Sequence, residues 1–202
     1  MPRQFKKLTL RAQTLLVVGA AITILASILF FLSRAIVLRG FAELEVAEVM
    51  ENVERVRRAL GEDLAYMKSI VGDYAPWDAT YEFMDDQNDQ FVITNFTEGT
   101  LANIRIDLMI LLDNAHSQVF SRAVDTETEV EGPVADEILQ ALTAYSRLFK
   151  HDDNHSTTTG LAHVPGGIML VASHPIVKSD WSGPIRGTLV IGRYLSPSEV
   201  AK

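Results

Sequence analysis

Cysteine is absent from this chain. Its absence excludes disulfide bonds, metal–thiolate sites and cysteine nucleophiles. The sequence also lacks G-x-G-x-x-G, G-x-x-x-x-G-K-[ST], H-E-x-x-H and G-x-S-x-G, which are common signatures of nucleotide binding, zinc proteolysis and serine hydrolysis. We therefore expect a domain that has no catalytic residues, binds no metal and needs no cofactor.

Acidic residues are absent from the first 39 positions, and charge of either sign is absent from Ala12 to Ser33. Six basic residues flank this apolar run. A run of about 20 apolar residues matches the hydrocarbon core of a bilayer, and basic flanks stay on the cytoplasmic side. The sequence therefore predicts a cytoplasmic N-terminus at residues 1–11, a transmembrane helix at residues 12–38 and an extracytoplasmic domain at residues 39–202.

The predicted location is the inner (cytoplasmic) membrane, crossed once, with the domain on the periplasmic or extracellular side. A cleaved signal peptide is the alternative, because it has the same basic-then-apolar order. Signal peptides have a shorter apolar region of about 7–15 residues that ends in a small-x-small cleavage site. The sequence after Ser33 contains no convincing site of this kind, which favours the membrane helix.

Positive charge is scarce in the outer domain. From Gly40 onward, 12 basic residues stand against all 26 acidic residues, which gives a net charge of −14. A domain of this charge repels the nucleic-acid backbone and anionic lipid headgroups. We therefore expect no nucleic-acid partner, and we expect the membrane to be a partner only through the apolar helix.

Residues 40–72 predict a long helix, because they contain no proline and are rich in Glu, Ala, Val, Arg and Leu. Their apolar residues recur mostly at alternating intervals of three and four, as in the seam of a coiled coil. This seam either packs on its own domain or pairs with a second copy of the chain, which would make a homodimer through the juxtamembrane helix. The seam residues are Ala42, Val46, Val49, Val53, Val56, Leu60, Leu64, Met67 and Val71.

Four aromatic residues and three carboxylates occur between Asp73 and Phe83. Aromatic walls with a carboxylate bind a cationic or amine-bearing small molecule by cation–π attraction and ion pairing. Core packing of the aromatic rings is the alternative, with Asp78 capping a helix over Thr80–Asp85. A solvated loop is predicted to follow at Asp85–Gln90. The candidate ligand-binding residues in this segment are Tyr74, Trp77, Asp78 and Tyr81.

The sequence beyond residue 103 predicts a hairpin, a helix and then three strands. Runs rich in β-formers at Ile104–Leu112 and Gln118–Val124 flank a polar turn, and Pro133 stands at the predicted start of a helix that ends near Lys150. This order predicts a PAS-like α+β fold, with an antiparallel sheet of about five strands and helices on one face. The last three strands are predicted at Leu161–Val164, Ile168–Ile176 and Gly187–Tyr194.

Arg105, His174 and Arg193 are weaker candidates for a ligand site. The two arginines lie in predicted strands, where a buried charge needs a partner. That partner is either Asp107, Asp78 or a carboxylate on a ligand. His174 precedes a proline at a predicted strand, and packing is the alternative to lining a pocket.

His151 and His155 are four residues apart beside two aspartates. Such a spacing chelates a metal when the segment is helical. The run of Ser, Thr and Asn around them favours a solvated loop instead, so no metal site is predicted.

Several landmarks occur in a recognisable order: Trp77-Asp78-x-x-Tyr81, then Phe91 and Asn95, Ile106-Asp107, His174-Pro175-Ile176, and Gly183-Pro184-x-x-Gly187 through Gly192-Arg193. This pattern, over about Tyr66–Leu195, resembles a CHASE domain of the fourth class, an extracellular input module of bacterial and archaeal membrane receptors. The resemblance implies a sensor followed by a second membrane helix. It also implies a cytoplasmic output beyond Lys202, such as a diguanylate cyclase, a phosphodiesterase or a histidine kinase.

Three functions remain open from the sequence. The first is a receptor input domain, in which a small ligand favours one of two states of the juxtamembrane helices. The second is a membrane-anchored enzyme that uses Asp78 with His174. The third is a non-catalytic protein-interaction domain. The uninterrupted predicted helix favours the receptor, because a tethered enzyme would work equally well on a flexible linker.

Overall fold

The computed structural model describes residues 10–125 and 130–195, with the side chains of residues 35–47 excepted. The chain divides after Arg55 into two compact units, which are treated separately. Most of the predicted cytoplasmic segment and the side chains of the predicted seam residues Ala42 and Val46 lie outside the described residues.

The first unit is helical. Helix α1 spans Leu10–Tyr74, and its residues up to Arg55 belong to this unit. Among the described residues, Leu10–Arg34 is the one segment long and apolar enough to cross a membrane. Its large apolar side chains are exposed; Leu15, for example, is 74% exposed.

Three hydroxyl side chains in this apolar segment have partners within the helix. Thr14, Thr23 and Ser27 each donate to the carbonyl oxygen four residues earlier, over 2.7–2.9 Å. A hydroxyl bonded in this way needs no water and no neighbouring chain. These three residues are therefore compatible with a hydrocarbon environment.

The second unit combines helices with one sheet. Its helices are the end of α1, α2 (Asp78–Asp86), α3 (Asp89–Asn95), α4 (Thr100–Asn103), α5 (Asp136–Thr143) and a 3-10 helix at Ser146–Phe149. Its strands are β1 (Leu108–Asp113), β2 (Gln118–Val124), β3 (Glu131–Gly132), β4 (Thr158–Val164), β5 (Gly167–Pro175) and β6 (Gly187–Tyr194). All neighbouring strands are antiparallel, in the order β3-β2-β1-β6-β5-β4.

Both faces of the sheet are buried, because apolar residues occupy consecutive positions of the central strands. On the α1 face, Met109, Leu170 and Ile191 pack with Met67 and residues from α2, α3 and α4. On the α5 face, alternate residues such as Leu108, Ile110 and Val190 pack with Leu142 of α5 and Leu148 of the 3-10 helix.

The α+β class and the antiparallel sheet predicted from the sequence are confirmed, with two differences. The sheet has six strands rather than about five, since the two-residue strand β3 pairs with β2 at Ala123 and Val124. Helices cover both faces rather than one. The last strand has the predicted bounds, and β1 and β2 form the predicted hairpin.

The predicted start of the first strand at Ile104 is wrong. Residues 104–107 form a turn after α4, in which the Ile106 N–H donates to the Leu101 carbonyl. Arg105 in this turn is exposed and has a left-handed backbone with φ 50°. It therefore does not lie in a strand and carries no buried charge.

Three helix predictions also need correction. Trp77, not Asp78, is the residue that precedes α2, and it makes no side-chain cap. The predicted loop at Asp85–Gln90 is confined to two residues, because Asn88 caps α3 by accepting from the N–H groups of Gln90 and Phe91. The helix predicted from Pro133 to about Lys150 is a shorter α5 followed by the separate 3-10 helix.

We predict that Gly187→Ala lowers the free energy of unfolding by about 2–3 kcal/mol, as overpacking does. A Cβ atom at Gly187 would collide with the Leu112 carbonyl oxygen and lie 2.8 Å from Met84 Cε. The matched control is Gly160→Ala in β4, where no atom lies within 4 Å of the added methyl group. Thermal unfolding of the full chain in detergent tests this, and equal midpoints for the two variants would contradict it.

Candidate functional site

The two ends of the sheet differ in what surrounds them. At one end, here called the loop end, residues 176–186 join β5 to β6, beside the β1–β2 turn. At the other, the Tyr194 end, β6 finishes and β1 begins, since Leu108 pairs with Gly192. The residues that the sequence singled out are distributed between these ends.

Asp78 and Tyr81 lie at the loop end and hold residues 176–186 against α2. The Asp78 carboxylate accepts from the Ser179 N–H, and the Asp78 N–H donates to the Ser179 hydroxyl, both over 3.0 Å. The buried Tyr81 donates from its hydroxyl to the Pro184 carbonyl over 3.3 Å. Both side chains therefore have partners within the chain.

Two cationic side chains of the same chain lie over the Tyr81 ring. The Arg186 guanidinium lies 3.8 Å from the ring centroid, and the Lys178 ammonium lies 5.8 Å from it. Arg186 also donates to the Tyr81 carbonyl over 2.9 Å and pairs with Asp85 over 2.6 Å. The cation–π and carboxylate contacts that were expected to bind a cationic ligand are therefore made here by Arg186, and Lys178 adds a second cation near the ring.

Tyr74 and Trp77 form an aromatic wall next to this contact. Their rings meet edge to face at 6.5 Å, Tyr74 stacks on Phe96 at 6.1 Å, and Trp77 contacts Phe91 at 6.4 Å. Trp77 is 38% exposed, whereas Tyr81 is buried. Of the four residues in this segment, Trp77 and Asp78 are exposed and thus more open to a ligand or partner than Tyr74 and Tyr81.

His174 also lies at the loop end, but in the core. It is 2% exposed, its Nδ1 lies 2.8 Å from the Pro175 carbonyl, and its ring contacts Trp181 at 5.5 Å. Trp181 also contacts His155, whose ring stacks on it with the two ring centroids 4.4 Å apart. Burial lowers the pKa of His174, and the positive charge of Lys68 acts in the same direction.

Arg193 lies far from these residues, at the Tyr194 end. Its terminal nitrogen is 2.6 Å from the Asp63 carboxylate of α1, and its side chain is 12% exposed. The predicted partners were Asp107 or Asp78, so the actual partner was not foreseen. With Arg105 in an exposed turn, the seven predicted site residues do not form one pocket. That a ligand binds at any of them stays a prediction.

A cavity of about 690 Å³ opens at the Tyr194 end, between the α5 face of the sheet and the start of α5. Tyr194 defines one side, with its N–H donating to the Asp107 carboxylate over 2.6 Å and its hydroxyl donating to the Pro165 carbonyl over 2.8 Å. Burial, and then the charge of Asp107, raises the pKa of Tyr194. The lining residues are Asp107, Leu108, Ala123, Val124, Asp125, Val130, Gly132, Pro133, Ala135, Ile138, Gly166, Tyr194 and Leu195.

Gly166 fixes the position of the Tyr194 ring in this cavity. It has a φ of 95°, which favours glycine, and a Cβ atom there would lie 3.1 Å from the Tyr194 hydroxyl oxygen. In the sequence, Gly166 lies between the predicted strands Leu161–Val164 and Ile168–Ile176, and it was not predicted to be part of a site.

A second, smaller cavity of about 200 Å³ lies at the loop end and includes His151 and Thr188. His151 Nε2 lies 2.9 Å from the Thr188 hydroxyl, and its Nδ1 is buried without a partner in the described structure. Burial first, and then the charge of His174, lowers the pKa of His151 to about 4. His151 and His155 thus contact different residues, Thr188 and Trp181.

Comparison with known proteins gives one family and one curated relative. The CHASE4 domain matches residues 59–202. The relative is the methanogenesis regulatory histidine kinase FilI of Methanothrix harundinacea (strain 6Ac), 32% identical over 188 residues, which are 93% of this chain and 21% of FilI. The chain therefore spans about a fifth of the length of the relative it matches.

Solved structures share the fold at low sequence identity. The extracellular domain of a protein described as a histidine kinase, vpHK1S-Z8, superposes with a TM-score of 0.56 at 15% identity, over 78% of this chain and 65% of that one. A domain of a sensory box/GGDEF family protein from Vibrio parahaemolyticus gives 0.52 at 14% identity, over 75% and 64%. The fold is therefore that of PAS-like extracytoplasmic sensor domains.

We predict that His151 makes stability depend on pH below neutrality. Its pKa in the folded state, about 4, is below the ordinary value of 6.5, so the unfolded chain binds the proton more readily. This contribution is complete above about pH 6.5 and is lost as the pH falls toward 4. His151→Gln should therefore lose less stability than the wild type between about pH 7 and pH 5.

Urea unfolding of the full chain at the two pH values measures this difference. The control is His163→Gln, because His163 is exposed on strand β4. An equal loss for His151→Gln and the wild type would contradict the prediction.

Proposed function

The chain belongs to the CHASE4 family of extracytoplasmic sensor domains, and we propose that it is the ligand-sensing input of a transmembrane signalling protein. A small molecule binds outside the membrane and changes the state of the helix that enters the membrane. The output is a histidine kinase or a cyclic-di-GMP enzyme beyond these residues.

Helix α1 is the observation that carries this proposal. The same helix contains the apolar segment Leu10–Arg34 and supplies Met67 and Val71, both 0% exposed, to the core of the sensor unit. A change in how the core packs around these two residues acts directly on the helix that continues to the apolar segment. An enzyme held at a membrane needs no such shared element.

The Asp63–Arg193 ion pair supports a coupling role for α1. It joins this helix to β6, the strand that leads out of the sheet, and the arginine is largely buried. Because the arginine is largely buried, separation from Asp63 would leave its charge poorly compensated, so breaking this pair is costly. Such a contact favours two discrete arrangements over a continuum, which a two-state signal requires.

We also propose that the sensor unit itself does not catalyse. The residues considered for an enzyme, Asp78 and His174, have structural partners: Asp78 exchanges hydrogen bonds with Ser179, and His174 is buried against Pro175 and Trp181. These contacts account for both residues without a reaction.

Orientation and assembly belong to the same proposal. The basic N-terminal flank favours a cytoplasmic position for residues 1–11, and the −14 charge of the outer domain is compatible with the periplasmic side. Val49, Met50 and Val53 are 55%, 66% and 57% exposed on α1 beyond the apolar segment. Exposed apolar residues at this spacing are covered when two copies pair as a coiled coil. We therefore propose a homodimer through this helix.

The dimer is tested by disulfide cross-linking, for which the cysteine-free chain is a clean background. We predict that Val53→Cys in the full chain, reconstituted in lipid nanodiscs or membranes, oxidises to a covalent dimer. Glu51→Cys is the matched control, because position 51 lies on the opposite side of the helix from the seam. Equal cross-linking at the two positions would argue against pairing along Val49 and Val53.

Ligand binding is tested by thermal unfolding of the full chain in nanodiscs against a library of small metabolites. A ligand at about 100 times its dissociation constant stabilises the folded state by about 2.7 kcal/mol. We predict at least one such compound, and we predict that it also changes the cross-linking rate at Val53→Cys. Absence of any binder, or a binder that leaves cross-linking unchanged, would count against a sensor.

The same assay tests the sequence-predicted pocket. If the ligand binds at the aromatic wall, Trp77→Ala and Asp78→Ala abolish the stabilisation by the compound. If both variants keep it, the aromatic wall is not the binding site.

A further inference from the structure

The cavity at the Tyr194 end has the size and form of a small-molecule site. Its volume of about 690 Å³ lies within the 300–1,000 Å³ typical of ligand pockets. At the loop end, Phe91, which Trp77 of the aromatic wall contacts, lines a space of about 220 Å³ between α2 and α3, but neither Tyr74 nor Trp77 lines it. The Tyr194 cavity is about three times as large as this space.

The walls of the Tyr194 cavity are largely apolar. Leu108 and its cross-strand partner Ala123 form the floor on the sheet, and Pro133, Ala135 and Ile138 form the opposite side at the start of α5. Apolar side chains on two sides bury the body of a ligand by the hydrophobic effect. They do not by themselves select its polar group.

The polar groups of the cavity carry one sign of charge. Asp107 and Asp125 contribute carboxylates, and among residues 10–125 and 130–195 no lysine, arginine or histidine lines the cavity. Asp107 already accepts the Tyr194 N–H, but a carboxylate has about four acceptor sites and accepts further donors. The Tyr194 ring adds a face that attracts cations. An anionic ligand would be repelled by the two carboxylates.

We infer that this cavity binds a small apolar molecule with a protonated amine, whose ammonium group lies between Asp107 and Tyr194. The inference rests on the proposed sensor function and names the ligand class and the place where it binds. Neutral molecules with a hydroxyl donor bind more weakly, and carboxylates are rejected.

The position of the cavity also connects the ligand to α1. Tyr194 and Arg193 are consecutive residues of β6, so their side chains point to opposite faces of the sheet. Tyr194 lines the cavity on the α5 face, while Arg193 pairs with Asp63 on the α1 face. An ammonium group that binds the Asp107 carboxylate competes with the Tyr194 N–H for that acceptor, so it shifts the end of β6, and the same shift reaches the ion pair with α1.

The test uses three probes that share a phenyl ring and differ in the charge of their end group: 2-phenylethylamine, 2-phenylethanol and 3-phenylpropanoate. Each is titrated by calorimetry into the full chain in nanodiscs of zwitterionic lipid, and empty discs correct for partitioning into lipid. The amine should bind at least tenfold more tightly than the propanoate, with the alcohol between them. Equal affinities, tighter binding of the propanoate, or no binding of the amine at 10 mM would overturn the ligand class.

Two variants test the location. Asp107→Asn removes the charge of the side chain and keeps its shape. It should therefore weaken the binding of the amine by roughly fivefold or more and leave the binding of the alcohol unchanged. Ala135→Phe fills the cavity from its exposed rim and should weaken the binding of both the amine and the alcohol. The matched control for charge is Asp73→Asn, an exposed aspartate next to Tyr74 on α1. Because Ala135 is exposed, its variant tests the site even if Asp107→Asn fails to fold.

The outcomes separate this inference from the proposed function. Amine affinity that is unchanged in both variants but lost in Trp77→Ala would place the ligand at the aromatic wall and overturn the inference, while the sensor function would stand. Binding with the expected pattern that leaves Val53→Cys cross-linking unchanged would support the site and count against its signalling role.

Discussion

Burial of both faces of strands β1, β5 and β6 is the constraint on which the sensor unit depends. Consecutive apolar residues such as Leu108 and Met109 point to opposite faces, so each face needs its own cover. Helix α1 provides cover on one face, and α5 provides it on the other. The eight residues of α5 extend about 12 Å, whereas the eight residues of β6 extend about 26 Å. The shorter cover leaves room on the α5 face for the cavity at the Tyr194 end.

The elements predicted correctly from the sequence are those with a strong local pattern. The hairpin of β1 and β2 and the strand Gly187–Tyr194 combine apolar runs with clear turn residues. Strand β3 was missed because two residues carry no periodicity. The start of β1 was misplaced because the apolar alternation at Ile104 and Ile106 continues into a turn. That turn is fixed by a backbone hydrogen bond to Leu101, which no residue pattern reveals.

The candidate site was harder to predict, for a different physical reason. The aromatic residues and carboxylates of residues 73–83 were recognised as suited to a cation, but the cations that meet Tyr81 come from Lys178 and Arg186, far away in the chain. The partner of Arg193 likewise comes from α1. The Tyr194 cavity draws on β1, β2, β6, α5 and the β4–β5 turn, so it has no contiguous motif. Contacts of this kind depend on the order of the strands in the sheet, which no local residue pattern reveals.

The alternation of strand β6 has a consequence for how this domain can change during evolution. Inserting or deleting one residue between Val190 and Arg193 would reverse every side chain beyond that point. Arg193 would then face the acidic cavity, and Tyr194 would face Asp63 on α1. Loops at the two ends of the sheet tolerate changes in length, because side chains do not alternate between two faces there. The length of β6 is therefore expected to be invariant among relatives that use both faces, even where their ligand-lining residues differ.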